Sequence, residues 1–192
     1  SGWVALKNIV AKEGQEISIK YLSESPGNGD NIYIAKGSGD ESYHARFTWF
    51  VFSEVEISGI DNLSSAQVEA HAVNSDVERS GKFETSNDLI NTINKIWQRS
   101  QLDNMHGAIA SDCPHRERLG YTGDGQITAK TAMLLLDSKR AYKKWIQDIS
   151  DCQDRVSGHV QYTAPYTQCG GGPGGWGIAI INVPYEYYLR YG

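Results

Sequence analysis

Long apolar runs are absent from this 192-residue sequence. The longest, residues 132–136, is far shorter than the ~20 residues that a bilayer-spanning helix needs. The chain also opens without the basic and then apolar pattern of a signal peptide. Basic residues are outnumbered by acidic ones, 18 to 23, and no run of Lys or Arg exceeds two. We therefore expect neither a membrane nor a nucleic acid as a partner.

Cysteine is also scarce. The three cysteines, at 113, 152 and 169, form neither an even-numbered disulfide framework nor a CxxC pair, so they do not indicate a redox compartment. By contrast, the sequence holds 11 Tyr, 5 Trp and 20 Gly, a composition that is compatible with sugar binding.

The first third of the chain follows the period-two pattern of β-strands. Alternation of this kind covers residues 16–21, 31–34, 54–57 and 66–73, with Gly, Asn, Asp and Ser clusters between them. These features predict an antiparallel β region, and we expect a sandwich. Residues 46–52 are apolar on both faces, which predicts a strand buried between two layers.

Helical spacing begins after a polar stretch at 76–86. A Thr or Ser N-cap before Leu89 predicts a helix over about 87–104, and residues 106–123 are predicted to form a long loop. Spacing resumes after Asp124, breaks at 137–138 and continues, which predicts two antiparallel helices. A glycine-rich loop at 157–175 precedes a last predicted helix over 176–191.

The predicted loop concentrates charge, since it contains Asp112, Glu117 and Asp124 together with Arg116 and Arg118. A general acid must be protonated near neutral pH, so its pKa must be raised by desolvation or by another carboxylate. Asp112 and Asp124 would supply that like charge to Glu117. The flanking arginines would instead keep Glu117 ionised in a salt-bridged turn, so both interpretations stay open.

Residues 112–124 closely resemble the signature loop of inverting bacterial α-L-rhamnosidases, which usually has Gln in place of His115 and Trp in place of Tyr121. Residues 43–52 and 55–59 resemble the last strands of the β-sandwich domain that precedes the catalytic domain of this family.

Four further short segments are similar to helical hairpins of the family's catalytic toroid: 158–160, 164–165, 174–177 and 183–185. The resemblance spans about residues 30–192, and this chain departs from the usual pattern at Val51, Ser53, Glu54 and Ile178.

The resemblance implies an α+β multidomain fragment. Residues 1–75 would be the C-terminal part of a β-sandwich domain, 76–86 a linker and 87–192 the first helices of an (α/α)6 toroid. The implied activity is hydrolysis of terminal α-L-rhamnose from glycans or glycosides by an inverting acid/base mechanism, with a rhamnose-containing carbohydrate as partner and no cofactor or metal. A periplasmic or secreted location would accompany it.

The resemblance also assigns roles. Glu117 matches the general acid, and Asp112, Arg116 and Asp124 match residues that hold sugar hydroxyls. Carboxylates accept such hydroxyl hydrogen bonds, and an arginine orients them by charge-assisted bonds. Tyr121 and Trp176 are candidates to pack against the C5 methyl side of rhamnose; alternatively, Trp176 is a buried aromatic at a helix start.

An inverting glycosidase needs a second carboxylate, roughly 6.5–9.5 Å from the acid. In the family this base comes from a later part of the toroid, and four other acidic residues here match no catalytic position: Asp148, Asp151, Asp154 and Glu186. We therefore expect this chain alone to be inactive although its parent is an α-L-rhamnosidase. Helix stripes left uncovered in a partial toroid predict self-association.

The same residues also allow other interpretations. Asp112, Cys113, His115 and Glu117 resemble a metal cluster in composition, but two arginines and Pro114 among them disfavour a cation. Cys113 is better explained as a small packing residue than as a nucleophile. The functional alternatives are a non-catalytic module that binds rhamnose or another deoxyhexose, and a six-hairpin glycosidase for another sugar.

Overall fold

The computed structural model describes residues 1–23, 29–107, 109–110, 112–167 and 174–192, with only the backbone at 109–110. The described chain divides into two compact units. The β unit is Ser1–Val73 with Pro114–Arg116, and the helical unit is Asn74–Cys113 with Glu117–Gly192.

Eight strands and four helices are present in the described residues. In chain order the strands are β1 (Gly2–Ile9), β2 (Glu16–Leu22), β3 (Asp30–Ile34), β4 (Glu41–His44), β5 (Glu54–Ser58), β6 (Val68–Ala72), β7 (Met105–His106) and β8 (Ile109–Ala110). The helices are α1 (Asp88–Asp103), α2 (Thr122–Leu135), α3 (Lys139–Asp151) and α4 (Ala179–Tyr191).

The β unit consists of two antiparallel three-stranded sheets, ordered β4-β1-β6 and β3-β2-β5. Strand β2 buries alternate residues, as the period-two pattern predicts: its Ile17, Ile19 and Tyr21 share one core with Val4 and Leu6 of β1. Burial of an aliphatic side chain of this size stabilises a fold by about 1.5–3 kcal/mol. The predicted β-sandwich portion is confirmed by this arrangement.

One strand prediction was wrong. Residues 46–52 form no strand, and only Phe50 makes an isolated bridge, to Gly2. Phe47 has a φ of 58°, which interrupts an extended backbone, and its side chain is fully exposed. Phe50 instead stacks on Tyr21 at 3.8 Å between ring centroids, so this residue enters the core from a loop.

The helical unit has its own core. Trp145 of α3 is 1 % exposed and packs with Tyr142, Ile149, Ala129 of α2 and Val183 of α4. The indole Nε1 of Trp145 donates to the Ala164 carbonyl at 2.9 Å. A Cβ on Gly125 would lie 2.0 Å from the Trp145 ring, so α2 presents a glycine where that ring packs.

Helix α1 buries an unexpected face. Its apolar residues Leu89, Ile93 and Ile96 are more than half exposed, whereas Gln98 and Gln101 are buried. Its N-cap is also different from the predicted Thr or Ser, because the side chain of Asn87 accepts from the backbone N–H of Leu89 at 2.9 Å. The predicted self-association through uncovered helix faces stays a prediction.

Other boundaries moved modestly. The predicted loop 106–123 includes the short β7–β8 pair and the first residues of α2, and α4 begins at Ala179 instead of 176. Part of the predicted glycine-rich loop, including Cys169, lies outside the described residues. No described helix is both long and apolar enough to cross a bilayer. The predicted order of a β region followed by helices is confirmed.

Candidate functional site

The first turn of α2 is anchored by the segment that follows α3. Thr122 is fully buried, and its backbone N–H donates to the Tyr162 carbonyl at 2.8 Å. The Ala164 N–H donates to the Gly120 carbonyl at 2.9 Å. Asp124 lies in this turn, where the helix dipole favours negative charge. The anchoring therefore fixes the position of one predicted site carboxylate.

Asp124 lines a cavity of about 240 Å³ within the helical unit. Its walls come from the C-terminal end of α1, the first half of α2 and Asp112. The lining residues are Trp97, Ser100, Gln101, Asn104, Asp112, Asp124, Ile127 and Thr128. The structure thus brings Asp112 and Asp124, which are twelve positions apart in the sequence, to one cavity.

Of the two carboxylates in the cavity, Asp124 is the one that burial desolvates. Burial raises the pKa of Asp124, and the negative charge of Asp112 raises it further, against a lowering backbone hydrogen bond. This combination of desolvation and like charge is the one expected for a functional acid group. It is found at Asp124, which the resemblance places among the residues that hold sugar hydroxyls.

Glu117 and Asp112 both accept hydrogen bonds from Cys113. The buried thiol of Cys113 donates towards Glu117 Oε2 at 2.8 Å and lies 3.0 Å from Asp112 Oδ1, which also accepts from the Cys113 N–H at 2.6 Å. The Glu117 side chain is exposed and is not among the residues that line the cavity. Its expected role as general acid stays a prediction.

The same contacts explain why three side chains of types that can bind a metal lie close together. One ligand atom each from Asp112, Cys113 and Glu117 lies within 4.8 Å of the others. The thiol hydrogen bonds account for this spacing, and a metal would have to replace the thiol proton. His115, the fourth member considered from the sequence, belongs to the β unit.

Trp176 packs on the same turn of α2 as Asp124. A Cβ on Gly123 would lie 2.5 Å from Trp176 Nε1. The rings of Tyr162 and Trp176 pack edge to face, with their centroids 5.7 Å apart. Gln126 donates to the Gly175 carbonyl, which holds the chain before Trp176 against the helix. Because Trp176 is 44 % exposed and precedes α4, the alternative of a buried aromatic at a helix start is not supported.

The remaining predicted residues are placed less directly. Tyr121 is the half-buried N-cap of α2 and forms a backbone bridge with Thr163. Arg116 is exposed and belongs to the β unit, where Trp49 Nε1 donates to the carbonyl of nearby Pro114 at 3.1 Å. Arg118 lies in the helical unit with a φ of 55°, and burial lowers its pKa.

Gln101 and Trp97 were not predicted as site residues. Both line the cavity from α1, and Gln101 is only 5 % exposed. In the sequence, a glutamine on the polar side of an amphipathic pattern indicates a solvent-facing position. No signal in the sequence indicates that α1 turns this side inwards.

Comparison with known proteins identifies the family. The model of the bacterial alpha-L-rhamnosidase six-hairpin glycosidase domain matches residues 78–192. An alpha-L-rhamnosidase of Formosa agariphila is 31 % identical over 220 aligned positions, covering 100 % of this chain and 23 % of that relative. One of Streptomyces avermitilis is 32 % identical and covers 84 % of this chain and 16 % of the relative.

Solved structures agree. The alpha-L-rhamnosidase of Dictyoglumus thermophilum superposes with a TM-score of 0.86 at 33 % identity, covering 97 % of this chain and 23 % of that one. The Streptomyces avermitilis enzyme complexed with L-rhamnose gives 0.85 at 29 % identity, covering 97 % and 19 %. This chain thus spans less than a quarter of the length of these relatives.

These matches confirm the resemblance inferred from residues 112–124, and with it the predicted β-sandwich portion followed by toroid helices. The chain belongs to the family of bacterial α-L-rhamnosidases with a six-hairpin glycosidase domain.

Proposed function

We propose that the full-length protein that contains this chain hydrolyses terminal α-L-rhamnose with inversion, and that this chain supplies the general acid and part of the sugar pocket. The observation that carries the proposal is the cavity that Asp112 and Asp124 share, with Glu117 joined to Asp112 through Cys113. Two relatives with this name are 31 % and 32 % identical to the chain.

The proposed chemistry assigns one task to each group. Glu117 donates its proton to the departing glycosidic oxygen, so the leaving alcohol departs neutral. Asp112 and Asp124 accept hydrogen bonds from ring hydroxyls, and Arg116 orients one carboxylate. Tyr121 and Trp176 face the apolar side of the sugar, where aromatic rings pack on C–H groups. We propose a domain division within residues 76–86, supported by the start of the family match at 78.

The general base is proposed to come from outside this chain. Inside it, Asp148 is paired with Lys144, and Asp151 accepts from Gln147 at 2.7 Å. Asp154 accepts from the N–H groups of Val156 and Ser157, which lower its pKa. These engagements suit structural carboxylates and not a base that activates water.

The test is hydrolysis of an aryl α-L-rhamnoside by the full-length protein. Glu117→Gln should lower kcat by roughly 100- to 10,000-fold, because general acid catalysis contributes that much. The loss should be smaller for an aryl group that leaves without protonation, and NMR should show the inverted anomer as first product. The 192-residue chain alone should show no turnover; rapid hydrolysis by it, abolished by Glu117→Gln, would contradict the assignment of the base.

A second candidate is favoured by the exposure of Glu117, which does not line the cavity that Asp112 and Asp124 share. In that case the protein binds rhamnose or another deoxyhexose without hydrolysing it. Rhamnose binding by the full-length protein, with no turnover of any rhamnoside, would favour this function over the first.

A further inference from the structure

The thiol of Cys113 lies between two carboxylates of the loop that begins at residue 112. Its Sγ is 2.8 Å from Glu117 Oε2 and 3.0 Å from Asp112 Oδ1, and the residue is only 9 % exposed. A neutral thiol has one proton, so it donates to one of these oxygens at a time. The direction of the thiol hydrogen bond therefore depends on which carboxylate accepts it more strongly.

The geometry favours Glu117 as the acceptor when its carboxylate is charged. Asp112 Oδ1 also accepts from the backbone N–H of Cys113, at 2.6 Å. The thiol proton can therefore turn to Glu117 while Asp112 keeps a donor from the same residue. The distance from Sγ to Glu117 Oε2 is also the shorter of the two.

This contact changes in strength when the proposed general acid changes its charge. A hydrogen bond to an ionised acceptor is about twice as strong as one between neutral groups. The thiol contact with Glu117 therefore strengthens as the carboxyl group loses its proton to the leaving oxygen. An interaction that is stronger in the transition state than in the ground state raises kcat, whereas packing that is equal in both does not.

We propose that Cys113 is a positioning residue whose thiol holds the Glu117 carboxyl group and donates a hydrogen bond to it as Glu117 protonates the glycosidic oxygen. This inference rests on the proposed function of the same site. The proton passes from Glu117 to the departing oxygen as the glycosidic C–O bond breaks, and the thiol keeps its own proton throughout. Cys113 thus acts on the reaction through Glu117.

The experiment measures kcat and KM of the full-length protein on two substrates. The phenolate of phenyl α-L-rhamnoside needs a proton to leave, and that of dinitrophenyl α-L-rhamnoside does not. Cys113→Ala should lower kcat on the phenyl substrate by roughly 2- to 10-fold, the worth of one hydrogen bond, and leave KM unchanged. On the dinitrophenyl substrate the loss should be less than about 2-fold, because the acid contributes little there. Cys113→Ser, which restores a donor, should recover most of the rate on the phenyl substrate.

Two further variants separate this role from packing. Cys152→Ala removes another free thiol of the helical unit, one that does not line the cavity, and should keep the wild-type kcat on both substrates. In a Glu117→Gln background, Cys113→Ala should cause no further loss on the phenyl substrate, because the thiol acts through the Glu117 carboxylate. If Cys113→Ala does not fold, Cys113→Val, which fills the space without a donor, takes its place.

Each remaining outcome contradicts a specific claim. Equal losses on the two substrates, a loss confined to KM, a wild-type kcat in Cys113→Ala, or a serine variant as slow as the alanine variant would overturn the inference. If Glu117→Gln slows the phenyl substrate and Cys113→Ala does not, only the inference fails. If Glu117→Gln slows neither substrate, the proposed function fails as well.

Discussion

Glu41 in the β unit and Asp124 in the helical unit show two opposite ways to hold a carboxylate away from water. Glu41 accepts from the Tyr33 hydroxyl and from the backbone N–H groups of Lys36, Gly37 and Ser38. These donors lower its pKa from 4.5 to about 2. Asp124 is desolvated beside Asp112, and its pKa is raised.

We propose that this difference separates a structural carboxylate from one that binds a ligand. At Glu41 the protein itself supplies the hydrogen-bond donors. The charged carboxylate therefore stabilises the turn before β4 and needs no donor from a ligand. At Asp124, burial and the negative charge of Asp112 raise the pKa by more than a backbone hydrogen bond lowers it, so the charged form is poorly stabilised by the protein itself. A sugar hydroxyl in the cavity would supply the hydrogen bond that such a carboxylate accepts.

The largest effect should come from neutralising the two carboxylates and measuring ligand affinity in the full-length protein. Asp124→Asn should weaken rhamnose binding by roughly 10- to 100-fold, because a hydrogen bond to a charged group is lost. Glu41→Gln should leave the affinity unchanged. Calorimetric titration checks both; equal losses in the two variants would remove the distinction between the units.

The pH dependence of the thermal unfolding midpoint should have opposite signs for the contributions of Glu41 and Asp124. The lowered pKa of Glu41 stabilises the fold above pH 4.5, and this contribution is lost as the pH falls towards about 2. Glu41→Gln should therefore lower the thermal unfolding midpoint at pH 7 and lose that effect in acid.

The raised pKa of Asp124 works in the opposite direction. It favours the folded state only below the ordinary value of 3.8, and this contribution is lost as the pH rises through the folded-state value. Asp124→Asn should then match or exceed the wild-type midpoint at pH 7. If Asp124→Asn is less stable than Glu41→Gln at neutral pH, the proposed difference between the two carboxylates is wrong.

The smallest effect should come from removing one donor from a carboxylate in each unit. Cys113→Ala deletes the thiol that donates to Glu117 Oε2, and we expect hydrolysis of an aryl rhamnoside to slow by roughly 2- to 10-fold. Cys113→Ser, which keeps a donor, should be closer to the wild type. Tyr33→Phe deletes a donor to Glu41, so it should lower the thermal unfolding midpoint at pH 7, lose that effect in acid and leave hydrolysis unchanged. A Tyr33→Phe enzyme slower than Cys113→Ala would refute this division of roles.

Much of the fold follows from local sequence patterns. Alternation located β2, β3 and β5 because side chains on a strand point alternately to the two faces of a sheet. The spacing of Ala141, Tyr142, Trp145 and Ile149 located the buried face of α3. The pattern failed at residues 46–52, where Phe50 is buried from a loop and Phe47 is fully exposed, because an apolar run does not show whether its backbone is extended.

The sequence alone also determined the family, since residues 112–124 combine residue types and spacings that a random loop does not reproduce. It also predicted Asp112 and Asp124 as site residues, and the structure brings these two to one cavity. Only the tertiary structure decided how they differ: Asp124 is desolvated and Glu117 is exposed, because burial depends on the chain segments that pack nearby and not on the residue itself. For the same reason Gln101, a solvent-facing position by its pattern, became part of the cavity wall.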